Sequence, residues 1–248
     1  MTQRVFALLP AAGKATRFGR AGEAPKQYQY MAGRTVLEWS LYAMRRLRPQ
    51  RIVLAVAADD ARWQSLPAHS VADVQVVVGG ADRAASVRCA LAAIADEARA
   101  DDWVLVHDVA RPCVTTAECL RLHAAIPEHP VGGVLAVPVA DTVKRAAPAG
   151  ASPMAEYVDA AETIDRSVLW LAQTPQQFRY GALLAALDAA SAAGLTVTDE
   201  ASAMEHAGHR PLLVHGSPDN IKITWPDDLA RAAAIVGRQL RTAQTVGA

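Results

Sequence analysis

Short aliphatic and β-branched runs alternate along this chain with longer stretches rich in Ala, Leu and Arg. Val5–Leu9, Ile52–Ala57, Val74–Val78, Val104–Val106, Val131–Val137 and Leu212–Val214 predict strands. These runs are continuous rather than alternating, so both faces of each strand are expected to be buried, as in a parallel sheet covered on both sides. Between them the pattern predicts helices over approximately Val36–Leu47, Asp82–Glu97, Ala117–Ala125, Gly181–Ala192, Glu200–His206 and Pro226–Leu240. Alternation of this kind implies an α/β fold, a doubly wound and mostly parallel sheet flanked by helices. Residues 1–248 are expected to form a single domain, with Ala243–Ala248 frayed at its end.

One stretch breaks the rhythm. From Pro138 to about Asp165 two short strands, Thr142–Arg145 and Glu156–Ala160, are predicted around a turn-rich segment carrying Pro148, Gly150 and Pro153. A projecting β-arm over 138–165, inserted within the domain, is the expected form. A lone two-stranded hairpin is marginal in water, so the arm calls for a second subunit, and a homodimer is expected.

Composition narrows the function. A chain of 248 residues that is 52% hydrophobic can bury a sizeable core, which excludes intrinsic disorder. With 25 basic and 25 acidic side chains there is no global field to steer it to nucleic acid or an anionic membrane. Aromatics at 5% are too few for base-stacking platforms, so no nucleic-acid partner is expected. The apolar run Val5–Leu9 stops at Pro10, short of a signal-peptide core, and no segment approaches the ~18 apolar residues of a membrane span. Three cysteines, Cys89, Cys113 and Cys119, form no CxxC pair and suggest neither a disulfide framework nor a zinc site. A cytoplasmic location is expected.

Any bound anion must then meet a local cluster, and the first strand runs straight into one. Pro10-Ala11-Ala12-Gly13-Lys14-Ala15-Thr16-Arg17-Phe18-Gly19-Arg20 and Pro25-Lys26-Gln27-Tyr28 interleave small residues with positive charges. Small side chains let backbone N–H groups approach phosphates, and the bases offer charge-assisted hydrogen bonds. Neither GxxxxGK[ST] nor GxGxxG is present, so a kinase-type loop and a standard dinucleotide site are disfavoured. A second strand, Trp103–Val106, ends in His107 and Asp108. A carboxylate at that position suits Mg²⁺, which takes one or two protein ligands beside phosphates; an ion pair with Arg111 is the structural alternative. His107 reads as a satisfied strand position rather than a ligand. At the third joint, Gly79-Gly80-Ala81-Asp82, the glycines would admit a ligand and Asp82 would cap a helix, with Ser86 nearby.

Taken in order, PAAGKATRFG with PKQY, VVVGGADRAASV, HDVARP, PVADTVKR, IDRSVLWLAQTPQQF, TDEASAMEHAG and GSPDNIKITWPDDL resemble the 2-C-methyl-D-erythritol 4-phosphate cytidylyltransferases. The resemblance implies a Rossmann-like nucleotidyltransferase fold with a dimerising β-arm. It implies transfer of a cytidylyl group from CTP to that polyol phosphate, with release of pyrophosphate, in non-mevalonate isoprenoid precursor biosynthesis. It also implies Mg²⁺ or another divalent cation, held by Asp108. By the same resemblance Ala11, Ala12 and Gly13 match the triphosphate loop, with Arg17 and Lys26 catalytic. Gly80, Asp82 and Ser86 match cytosine and ribose contacts, Val109 lies near the ribose, and Lys222 is a further phosphate contact. Thr142, Arg166, Thr174 and Thr198 match the acceptor pocket, Arg166 reaching in from the partner subunit. The family commonly has glycine where Ala15 stands and alanine where Val109 stands. The alternatives are a cytidylyltransferase for another polyol phosphate such as ribitol 5-phosphate, a catalytically silent nucleotide-binding module, and a redox enzyme on a dinucleotide fold.

Overall fold

The computed structural model describes residues 3–13, 18, 24–147 and 156–246. In chain order the elements are β1 (Val5–Pro10), β2 (Tyr30–Met31), β3 (Arg34–Thr35), α1 (Val36–Arg45), β4 (Arg51–Val56), α2 (Ala68–Val71), β5 (Val74–Val78), α3 (Arg83–Ala92), β6 (Trp103–Val106) and α4 (Thr116–Ala125). They continue with β7 (Gly132–Pro138), β8 (Val143–Ala146), β9 (Ala160–Ile164), β10 (Trp170–Arg179), α5 (Tyr180–Ala192), α6 (Glu200–His206), β11 (Leu212–His215) and α7 (Asp227–Val246). Ala243–Val246 continue the last helix instead of fraying.

Among the described residues the main sheet has seven strands in the order β11-β7-β10-β6-β1-β4-β5. β1 is central and pairs in parallel with β4 and β6, Leu8 lying opposite Val53 on one side and Val106 on the other. Its side chains split between two apolar layers. Phe6 and Leu8 pack with Val87, Leu91, Leu183 and Met204 on the face covered by α3, α5 and α6. Ala7 and Leu9 pack with Leu37, Leu41, Leu122 and Ile235 on the face covered by α1, α4 and α7. Burial on both faces explains the unbroken runs of β1, β4, β6 and β7, each fully buried Leu or Phe contributing about 1.5–3 kcal/mol, whereas the edge strands β5 and β11 are less covered than their runs predict and leave Val78 and Leu213 exposed.

β10 is the strand that the hydrophobic pattern does not reveal. It runs antiparallel between β6 and β7, with an irregularity between Ala172 and Gln176. Gln173, Thr174, Gln176 and Gln177 are all buried, and Pro175 stands among them. Proline and four polar side chains read as a loop, whereas in the fold their polar groups are answered by hydrogen bonds, with the buried Gln177 Oε1 as the exception. Gln176, for example, donates to Asp199 and accepts from the Ala201 N–H, which ties β10 to α6.

The arm is a separate antiparallel pair, β8 with β9. Its second strand is Ala160–Ile164 rather than Glu156–Ala160. The shift follows the cross-strand partners: Arg145 meets Glu162 at 2.6 Å, and Lys144 donates to Thr163. Opposite charges and β-branched residues facing each other set that register.

Candidate functional site

Four strand ends open into one cavity of about 610 Å³. From β1 come Ala11, Ala12 and Gly13, from β4 Ala57–Asp59, from β5 Gly79–Asp82, and from β6 Asp108 and Val109, with Lys26 and Lys222 closing the rim. Such a crevice beyond the carboxyl ends of parallel strands is where open α/β sheets place their ligands.

The local sequence builds each wall. Ala11 N–H continues the β-ladder to Ala55, and buried Gln27 donates to the Ala11 carbonyl, holding the loop after β1 in place. Gly13 has no atom within 4 Å of where a Cβ would stand, so its backbone faces open space. Gly79 and Gly80 differ, because a Cβ on Gly79 would lie 2.8 Å from Ala12 Cβ and one on Gly80 would collide with Ala85. Close packing on the loop after β1 and on the first turn of α3 already requires glycine at those two positions. Asp82 caps α3 by accepting the Ala85 N–H at 2.8 Å. Ser86 Oγ accepts from Gly80 N–H at 3.1 Å and donates to the Asp82 carbonyl at 2.8 Å, so its proton is committed to the turn.

Asp108 is the electrostatic centre. Its backbone N–H donates to Thr174 Oγ1 at 2.9 Å, its Oδ1 accepts from Arg83 Nε at 2.9 Å, and its Oδ2 meets Lys222 Nζ at 2.7 Å. Burial alone would raise its pKa, but Arg83 and Lys222 overcome that and hold the carboxyl far below the usual range. The arginine paired with Asp108 is Arg83, not the nearby Arg111. Arg111 donates instead to the carbonyls of Asn220 and Ala172, bracing the segment that carries Lys222 against β10. Arg83 also forks onto Glu200, Nη1 to Oε1 at 2.6 Å and Nη2 to Oε2 at 2.9 Å. Burial would lower the arginine's pKa, yet Glu200 and Asp108 raise it above its ordinary value. Sequence reading missed Arg83 and Glu200, because one looks like an exposed helix start and the other like a first-turn acid.

His107 is a satisfied buried group. Its Nε2 lies 3.2 Å from the Arg111 carbonyl, and Nδ1 lies 3.2 Å from Thr174 Oγ1. A carbonyl can only accept, so Nε2 carries the proton and the threonine hydroxyl donates to Nδ1. Burial brings the imidazole pKa down to about 4. Lys26, on a short 3-10 turn, reaches the Ile223 carbonyl with Nζ at 2.8 Å, joining the β1 side of the cavity to the Lys222 segment between β11 and α7.

Of the expected residues, Ala11, Ala12, Gly13, Lys26, Gly80, Asp82, Ser86, Asp108, Val109 and Lys222 all line the one cavity. Arg17 and Ala15 lie outside the described residues. Thr174 sits behind Asp108, buried, with its hydroxyl engaged. Thr142 and Arg166 are exposed at the two ends of the arm's strands, and Thr198 is exposed before α6, none of the three lining the cavity. Among the described residues no three His, Cys, Asp or Glu side chains cluster as a self-sufficient metal site.

Comparison with known proteins agrees with this geometry. The profile of the 2-C-methyl-D-erythritol 4-phosphate cytidylyltransferase family matches residues 5–238. A protein of that name from Xanthomonas campestris pv. campestris strain 8004 is 48% identical over 233 residues, 93% of this chain and 84% of that one. Another from Pseudomonas aeruginosa PAO1 is 48% identical over 228 residues, 91% of this chain and 93% of that one. The crystal structure of the Francisella tularensis 2-C-methyl-D-erythritol 4-phosphate cytidylyltransferase superposes with a TM-score of 0.77 at 35% identity, covering 94% of this chain and 100% of that one. With the match running from the first strand into the last helix, the chain belongs to the 2-C-methyl-D-erythritol 4-phosphate cytidylyltransferase family.

Proposed function

We propose that the cavity at the ends of β1, β4, β5 and β6 binds CTP and that the chain transfers its cytidylyl group to 2-C-methyl-D-erythritol 4-phosphate, releasing pyrophosphate. The observation that supports this most is the single cavity that gathers an open small-residue loop, Lys26, Lys222 and a deeply ionised Asp108. A phosphate oxygen of the acceptor attacks the α-phosphorus as the bond to the pyrophosphate oxygen breaks. The attacking monoester has a second pKa of about 6 and is largely ionised at neutral pH, so no protein base is needed. The work left to the protein is to hold two polyanions together and neutralise their oxygens. Lys26, together with Arg17, supplies that charge on the β1 side, and Lys222 on the opposite rim. Backbone N–H groups of Ala12 and Gly13 meet the triphosphate with Ala11 forming the floor beneath them, while Gly80, Asp82, Ser86 and Val109 border the base and ribose.

The donor set fits a divalent cation of the Mg²⁺ type. Asp108 presents Oδ2 to the cavity, which Asp59 and Asp82 also line, and such an ion completes its shell with phosphate oxygens and water. Bound there, Mg²⁺ supplies Lewis-acid neutralisation of phosphate charge. The acceptor pocket is assigned to Thr142, Arg166, Thr174 and Thr198, with Arg166 contributed across a dimer whose arms pack together. Tyr157, Val168 and Leu171, exposed on or beside the arm, support such a contact. Among the described residues no helix is long and apolar enough to cross a membrane, and all three cysteines are free thiols. A cytoplasmic enzyme accords with both.

The test is pyrophosphate release from CTP with 2-C-methyl-D-erythritol 4-phosphate, set against ribitol 5-phosphate and no acceptor. Turnover is expected with the first only. Lys26→Ala is expected to lower kcat by about 3 kcal/mol equivalent while CTP binding changes far less. Preferential use of ribitol 5-phosphate, or a wild-type kcat in the variant with only KM raised, would overturn the respective assignment.

A further inference from the structure

Asp108 has a cation on each oxygen, and the two cations are held very differently. Lys222 touches Oδ2 from the rim, its side chain 41% exposed. Arg83 touches Oδ1 from within, its side chain 24% exposed, and its two terminal nitrogens are both taken by Glu200, which is fully buried on α6. A guanidinium can fork end-on through its two terminal nitrogens or side-on through Nε and one of them. Arg83 spends its end-on fork on Glu200, and in the orientation this fixes it meets Asp108 through Nε alone, engaging one oxygen rather than two.

We propose that Glu200 is a positioning residue for the reaction: by occupying the fork of Arg83 it restricts that arginine to Asp108 Oδ1 and keeps Oδ2 turned to the cavity. The inference rests on the reading of Asp108 as the divalent-cation ligand. Lys222 is then the exchangeable cation of the pair. It rests on Oδ2 in the free protein and moves to phosphate oxygens when the metal–nucleotide complex enters, whereas Arg83 stays. Without Glu200, the fork would turn to Asp108 and cover both oxygens, and the ligand would be lost without any change in Asp108 itself. Gln176 holds α6 in register by accepting the Ala201 N–H at 2.8 Å, so the position of Glu200 is set by β10 rather than by its own short helix.

The experiment compares Mn²⁺ binding to the protein–CTP complex in wild type, Asp108→Asn, Glu200→Gln and Glu200→Asp, read from the paramagnetic resonance of free Mn²⁺ with no acceptor present. Folding of each variant is checked by its thermal melt. Outer-shell partners of metal ligands typically govern affinity by roughly 10–100-fold, and a loss in that range is expected for both Glu200 variants as well as for Asp108→Asn. Glu200→Asp carries the decision, since it keeps the charge and shortens the reach that makes the fork. If it binds Mn²⁺ as wild type while Glu200→Gln does not, the effect is one of charge and the positioning role is overturned. If both Glu200 variants bind normally and only melt earlier, Glu200 is structural and the proposal falls while the metal reading stands. Normal Mn²⁺ binding by Asp108→Asn overturns the metal reading and the proposal with it.

Discussion

At the scale of single residues, Gly13 and Gly80 show that one amino acid type can be required for opposite reasons. Gly13 faces empty space in the cavity, whereas a Cβ on Gly80 would strike Ala85 in the first turn of α3. Gly80→Ala is therefore expected to lower stability by roughly 1–3 kcal/mol, the usual cost of overpacking. Gly13→Ala is expected to leave stability within about 0.5 kcal/mol and to weaken CTP binding instead. Denaturant unfolding and nucleotide titration of the two variants separate these outcomes; equal destabilisation would contradict the geometry. The motif GGAD thus marked a strand-to-helix joint capped by Asp82, and its glycines are needed there for packing on Ala12 and on the first turn of α3. Sequence offered no way to tell, because the colliding atom belongs to the conformation of α3 and not to its composition.

Among the elements, the start of the central β1–β6 pair is fastened by one carboxylate. Asp102 accepts from Arg4 N–H at 3.1 Å, from Arg4 Nη2 at 2.7 Å and from Arg99 N–H at 2.9 Å. Burial raises its pKa, but Arg4 and the two N–H groups outweigh that and bring it below the ordinary value. A depressed carboxylate contributes stability that is present above the unfolded pKa of about 4 and is lost as pH falls through the folded one. Asp102→Asn is expected to cost roughly 2–4 kcal/mol at pH 7, and the gap to wild type should shrink as the pH is taken down through 4 and below. Urea midpoints at pH 7 and pH 3 measure it, and a gap that widened on acidification would refute the assignment. Thr35 with Glu38 and Thr115 with Glu118 form reciprocal capping boxes, each within four residues of sequence, so these helix starts depend on local chemistry alone. β10 was not legible, since its buried glutamines gain their partners from α6, from His123 on α4 and from the segment after β11, all distant in sequence.

On the scale of the whole molecule, the arm sets the expectation of a site shared between subunits, the nucleotide held by Lys26 and Asp108 of one chain and the acceptor phosphate by Arg166 of the other. Isologous symmetry would create two equivalent sites. Lys26→Ala and Arg166→Ala should each be inactive alone, and subunit exchange between them should restore activity, because a mixed dimer contains one site with both side chains intact. If mixed dimers form and remain inactive, Arg166 acts within its own chain or not at all.

The sequence by itself determined what depends on neighbours along the chain. Unbroken apolar runs specified the strands, Asp82 specified the start of α3, and the small, basic loop after β1 with Asp108 after β6 marked strand ends that open into the cavity. Tertiary structure alone decided what depends on partners far apart. It set β10 antiparallel between β6 and β7, chose Arg83 over Arg111 for Asp108, and joined Arg83 to Glu200 across 117 residues. The reason is physical: a hydrophobic run is buried whichever elements cover it, but a buried charge or amide is stable only against the particular group that packing brings within about 3 Å.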